Sequence, residues 1–109
     1  MTQQVISRFA PSPTGFLHIG GARTGLFSWL YAKSCGGKCL LRLEDTDEKR
    51  SKKEFANSIL ESFQWLEVVF DGEPFYQSKN KESHLEKVDF LLTSSRAYYC
   101  DCSSERLNH

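Results

Sequence analysis

Two breaks, Pro11-Ser-Pro-Thr-Gly15 and Gly36-Gly37, cut the first 44 residues into apolar runs of different period, and this punctuation constrains the fold more than any other feature. Ahead of the first break, residues 4–10 (QVISRFA) mix Val5, Ile6 and Phe9 with polar positions, as a short strand running into a loop does. Between the breaks Ala22, Leu26, Trp29, Leu30 and Lys33 recur at helical spacing, which predicts an amphipathic helix of about four turns. After the second break, residues 38–44 (KCLLRLE) form a compact apolar run suited to a buried strand parallel to the first. Strand, glycine-rich turn, helix and strand in that order predict an α/β fold.

The rest of the chain continues the alternation. Phe55, Ile59, Phe63 and Leu66 share one face of a helix over 51–66, with Ser51 as N-cap and Glu54 as its capping-box partner. Residues 67–80 are turn-rich, with a short extended piece near Pro74–Gln77. A third helix over 81–95 would turn Leu85, Val88, Leu91 and Leu92 inward, and residues 96–102 (RAYYCDC) read as a strand. The 109 residues fit one small domain, but a new element opens at Ser103 and reads as an incomplete one. No apolar run approaches the roughly 20 residues of a membrane span. The opening Met1-Thr-Gln-Gln carries no secretory signal pattern, so the expectation is a cytoplasmic protein. In that setting Cys100 and Cys102 are free thiols or metal ligands rather than disulfide partners, while Cys35 and Cys39 read as small buried residues beside the second break.

Charge adds what composition hides. The chain has 14 bases and 14 acids, yet residues 1–43 hold five bases (Arg8, Arg23, Lys33, Lys38, Arg42) and no acid. The neutral total is therefore +5 against −5, an asymmetry that points to anionic partners for the first segment. Glycines between a strand and a helix allow a phosphate to approach the backbone and the unpaired N–H groups of the helix start. The spacing is neither GxGxxG nor GxxxxGK[ST], which points away from NAD-type and P-loop sites. In their place stands His18-Ile-Gly20-Gly21, an imidazole able to donate to phosphate oxygens beside flat backbone on which a purine could lie. A surface histidine between terminating glycines is the bland reading. It loses ground because Arg8, Ser12, Thr14 and Arg23 crowd the same loop without an offsetting acid.

These residues carry a resemblance. RFAPSPTGFLHIGGARTGLFSWLYAKSCGG followed by LRLEDTDEKRS is similar to the N-terminus of bacterial-type glutamyl-tRNA synthetases of class I, almost continuously from Arg8 to Ser51 and more loosely to Cys102. HIGG at 18–21 stands where the family has His-Ile-Gly-His, with Gly21 for the last histidine as in the glutamyl branch. The ARTG and EDTD positions resemble the synthetase rather than its tRNA-modifying paralogue. The resemblance implies the first half of a Rossmann-like nucleotide-binding fold over 1–97, with parallel strands and flanking helices, and the start of a zinc-type acceptor-stem insertion over 98–109.

It further implies ATP-dependent ligation of L-glutamate to tRNA(Glu) through glutamyl-adenylate, by a monomeric protein in which this chain supplies the ATP- and glutamate-binding front half. His18 would contact the ATP phosphates during catalysis. Pro11, Ser12, Pro13, Thr14, Gly15, Gly20 and Gly21 would complete the ATP site, and Arg8, Ala10, Ser12 and Glu44 would bind glutamate. Asp45, Asp47 and Glu48 read as solvated acids able to pair with Lys49, Arg50, Lys52 and Lys53, worth little each. No metal is assigned to them, since Mg²⁺ comes held largely by the nucleotide phosphates and water. Cys100 and Cys102 match the opening half of a zinc site whose closing pair would lie beyond His109. The isolated chain is expected to charge tRNA weakly or not at all. The alternatives are a non-catalytic, synthetase-derived module that binds nucleotide or RNA and, ranked lower, a zinc-ribbon interaction domain.

Overall fold

A computed structural model describes residues 3–109; Met1 and Thr2, half of the tetrapeptide read for a targeting signal, lie outside the described residues. The elements run β1 (Ile6–Phe9), α1 (Ile19–Ser34), β2 (Lys38–Leu43), α2 (Lys53–Trp65), β3 (Phe75–Tyr76), a 3-10 turn (Gln77–Asn80), α3 (Lys81–Thr93) and α4 (Ser104–Leu107). The sheet has the order β1-β2-β3 with parallel neighbours. Ile6 is opposite Lys38 and Phe9 opposite Leu41, while Arg42 faces Phe75. The predicted α/β fold with parallel strands and flanking helices is therefore the observed one. The chain divides into a first unit ending at Lys79 and a second, Asn80–His109.

The first unit holds the core. Phe9, Leu41 and Leu43 leave one face of the sheet and meet Ile59 and Phe63 of α2 and Val68 beyond it, with Leu26 and Trp29 of α1 packed alongside. The Phe9 and Phe63 rings meet edge-on at 5.3 Å. Each such side chain contributes about 1.5–3 kcal/mol by leaving water. The opposite face is open, because side chains alternate along a strand and both helices cover the same side. Cys39, Leu41 and Leu43 are buried, whereas Leu40 is exposed; the strand expected to be buried throughout is thus buried on one face. In α1 the covered residues are Gly25 and Ala32, with Ala22, Leu26 and Trp29 half-buried; Leu30 and Lys33, expected inward, are exposed. The closest helix contact runs along small residues rather than the large apolar ones.

Four further expectations are corrected. α2 starts at Lys53 with Lys52 as N-cap and no side-chain cap bond, so Ser51 lies outside the helix and its buried hydroxyl has no partner. Cys35 is exposed, although Cys39 is buried as expected. In the second unit α3 buries none of its residues, Leu85, Val88 and Leu91 being exposed and Leu92 half-buried. Residues 96–102 form no strand, because an extended segment becomes one only when a neighbour accepts its backbone hydrogen bonds.

Candidate functional site

The loop between β1 and α1 is fixed by backbone bonds from two other elements. The Glu44 amide, just past β2, donates to the Pro11 carbonyl at 2.8 Å, and the Lys52 amide at the start of α2 donates to the Pro13 carbonyl at 3.1 Å. Within the loop the Thr14 amide donates to the Ser12 carbonyl at 2.9 Å. Pro13 is fully buried beneath this arrangement. The loop therefore leaves the carboxyl end of β1 and passes the carboxyl end of β2, where ligands bind in open parallel sheets.

His18 is the N-cap of α1. Its Nδ1 accepts the Gly21 amide proton at 3.3 Å, and the Ala22 amide donates to the His18 carbonyl at 3.0 Å. With Nδ1 engaged as acceptor, the proton of the neutral imidazole sits on Nε2, which is left as a donor. The Ile19 and Gly20 amides begin the helix without an acceptor inside it. Gly20 leaves room for this arrangement: a Cβ there would press on the imidazole Cε1 and Nδ1 at 3.1 Å. At Gly21 a Cβ would meet Leu17 Cδ1 at 2.9 Å.

A cavity of about 290 Å³ opens here, gathering Pro11, Ser12, Gly15, His18, Gly20 and Gly21. Its walls also use Phe9, Phe16, Thr24 and Ile59, which sequence reasoning did not assign. Thr24 faces it from one helical turn beyond Gly20, whose carbonyl its hydroxyl bonds at 3.0 Å; that spacing was the available signal. Thr14 and Ala10 are not on its wall, and Pro13 lines a different cavity. That one, about 610 Å³, is walled by Asp45, Ser51, Lys52, Tyr76 and Lys79 among others, and its Asp45 and Ser78 are spent on one another. Asp45 accepts from the Ser78 amide at 2.8 Å and hydroxyl at 2.6 Å. Burial pushes its carboxyl up, but the Ser78 bonds and the Lys79 charge outweigh this and hold it below the usual value. Lys52 and Lys79 lie over the Phe55 and Tyr76 rings. The smaller cavity, with an unspent donor and a helix start, is the better anion site.

Arg8 and Glu44 meet on the open face of the sheet. Arg8 Nη1 lies 3.8 Å from Glu44 Oε1, and Arg42 Nη2 donates a short hydrogen bond to the same oxygen. Arg42 was not assigned from the sequence, although its position two residues before Glu44 places both on one strand face. Of the flanking acids, Asp47 pairs with Arg50 at 3.8 Å, as the charge pattern allowed, whereas Asp45 takes Ser78. In the second unit the Cys102 amide and thiol hold the Cys100 thiol below its ordinary pKa. Among the described residues no three metal-binding side chains converge, around Cys100 and Cys102 or elsewhere.

Comparison with known proteins follows these contours. A family model described as tRNA synthetases class I (E and Q), catalytic domain, matches residues 4–109. Glutamate–tRNA ligase 2 of Ehrlichia chaffeensis is 56% identical over 108 residues, covering 99% of this chain and 23% of that protein. Glutamate–tRNA ligase 1 of Wolbachia pipientis wMel is 55% identical over 103 residues, 94% of this chain and 22% of its own length. A crystal structure of a glutamate tRNA ligase from Elizabethkingia meningosepticum, in complex with its amino acid, superposes with a TM-score of 0.80 at 34% identity, over 97% of this chain and 23% of that one. The chain thus spans about a quarter of the length of these relatives.

Proposed function

The chain belongs to the catalytic-domain family of class I tRNA synthetases for glutamate and glutamine, and from that premise we propose that it supplies the ATP- and glutamate-binding front of a glutamate–tRNA ligase. The reaction is in-line attack of the glutamate α-carboxylate on the α-phosphate of ATP. It forms glutamyl-adenylate, releases pyrophosphate, and precedes transfer of the glutamyl group to the terminal ribose of tRNA(Glu). Such chemistry asks the protein mainly to align reactants and neutralise developing charge.

The observation that carries the reading is the cap on α1. Because the Gly21 amide occupies His18 Nδ1, Nε2–H is left to meet a phosphate oxygen at the positive end of the helix. Gly20 and Gly21 leave the helix start flat enough for adenine, and Pro11, Ser12 and Gly15 close the cavity around it; Pro13 and Thr14 act by shaping the loop. Arg8 offers a planar fork to a glutamate carboxylate, Glu44 an acceptor for the ammonium group, and Ala10 and Ser12 backbone and hydroxyl contacts. Mg²⁺ accompanies the nucleotide on its phosphates and water. Zinc on Cys100 and Cys102 would brace tRNA contacts; no step is assigned to it. Cytoplasmic residence and a monomeric state belong to the same proposal.

The test is ATP titration of the purified chain followed by amide chemical shifts. His18→Ala should weaken binding several-fold with the Gly20–Ala22 amides losing their response, and equal binding by both forms would overturn the assignment. The chain alone is expected to charge tRNA(Glu) weakly or not at all, measured with host enzyme removed.

A further inference from the structure

Arg8 and Glu44 present an electrostatic problem. The proposed site needs Arg8 free for a carboxylate and Glu44 free for an ammonium, yet the two lie 3.8 Å apart and attract each other. A direct Arg8–Glu44 fork would spend both. Arg42 resolves the conflict. It is on the same open face as Arg8 and Leu40, opposite Phe75 in register, and its Nη2 takes Glu44 Oε1 much more closely than Arg8 does. Among the described residues no other hydrogen bond holds its guanidinium, and its Nε is buried without a partner, so nothing competes with Glu44 for it.

We propose that Arg42 is a positioning residue that holds the Glu44 carboxylate off Arg8, leaving Arg8 available to a carboxylate ligand and Glu44 Oε2 available to an ammonium. Both nearest arginine contacts fall on Oε1, which is the geometry this requires. The three side chains together carry +1, matching a ligand of net charge −1 such as L-glutamate. The inference takes its purpose from the function proposed above and its geometry from the ion cluster alone.

Rotation of each guanidinium about its Nε–Cζ bond, read by NMR on the arginine-labelled chain, tests the geometry. In the wild type Arg42 should rotate slowly and Arg8 fast. Arg42→Met should slow Arg8 several-fold as Glu44 turns to it, while Arg42→Lys, which keeps a cation beside Glu44, should leave Arg8 fast. An Arg8 rate unchanged by Arg42→Met overturns the proposal. Should that variant fail to fold, Glu44→Gln decides: it must free Arg42, and an Arg42 still slow overturns the proposal equally. L-Glutamate titration then separates the two readings. Weaker binding by Arg42→Met than by Arg42→Lys supports the positioning role. Equal binding by wild type and Arg42→Met, with Arg8→Ala abolishing it, refutes that role. Rotation as expected with no glutamate binding by any form leaves the positioning geometry standing and refutes the glutamate assignment.

Discussion

Glycine serves different ends along this chain, and the space around each position says which. A Cβ on Gly25 would lie 2.4 Å from Phe63 Cζ, inside the seam where α1 meets α2, so Gly25→Ala must push apart two packed helices or rotate a core ring. Overpacking of this kind costs about 1–3 kcal/mol, and urea denaturation should read a loss in that range. At Gly37 the obstacle is the Val5 carbonyl oxygen at 2.1 Å, backbone that cannot rotate away, so Gly37→Ala should be worse than Gly25→Ala. Gly15 meets nothing within 4 Å, and Gly15→Ala should stay within about 0.5 kcal/mol of wild type. Gly20 differs again: its missing Cβ makes room for an imidazole, so its loss should be felt in ATP binding more than in stability.

The three long helices end alike. After α1, α2 and α3 the chain turns left-handed at Gly36 (φ 64), Glu67 (φ 59) and Ser95 (φ 58). In each case the next amide reaches back to the carbonyl of the third residue from the helix end: Gly37 to Ala32, Val68 to Phe63 and Arg96 to Leu91. In α2 the motif also packs buried Val68 on buried Phe63, which holds Glu67 in a conformation costly to a side chain. Glu67→Gly should therefore stabilise by up to about 1 kcal/mol in urea denaturation. A second device ties α1 to β2 through Asp71, whose carboxylate accepts from Lys33 Nζ at 2.9 Å and the Cys39 amide at 2.8 Å. Lys33 first, then the amide, hold its carboxyl below the ordinary value. A depressed folded pKa means stability present above the unfolded value, near 4, and lost as pH falls through the folded one. The stability gap between wild type and Asp71→Asn should be full at neutral pH and close below about pH 4; a gap constant across that range would refute the clamp. These elements also show what was legible beforehand. The β1–α1–β2 unit and the His18 loop could be read because glycine punctuation and hydrophobic period are local. The strand expected over 96–102 could not, since its pairing partner is not a local property, and the Ser51 cap failed because a helix start slides by one residue at little cost. Arg42 was legible by its two-residue offset from Glu44, a relation of pairs that reading residues singly passes over.

At the scale of the molecule, the neutral charge total resolves into functions. Of the five bases of residues 1–43, Arg42 takes the first acid, Glu44, with Arg8 beside it, and Lys33 takes Asp71, so a segment that looks uniformly cationic is partly matched by carboxylates from beyond it. Burial divides just as unevenly. Among the described residues the buried core lies between Phe9 and Val68, and the unit from Asn80 onward buries none of its side chains. Cooperative stability follows buried apolar area, so the two units should open at different free energies. Native-state hydrogen exchange should find amides of β2 and the interior of α2 protected to the level of global unfolding. Those of α3 and α4 should exchange by local fraying, insensitive to Gly25→Ala, which lowers only the protection set by the core. Equal protection of α3 and α2, falling together in that variant, would instead make the 109 residues one cooperative unit, and the second unit would then owe its order to the first rather than to its own helices.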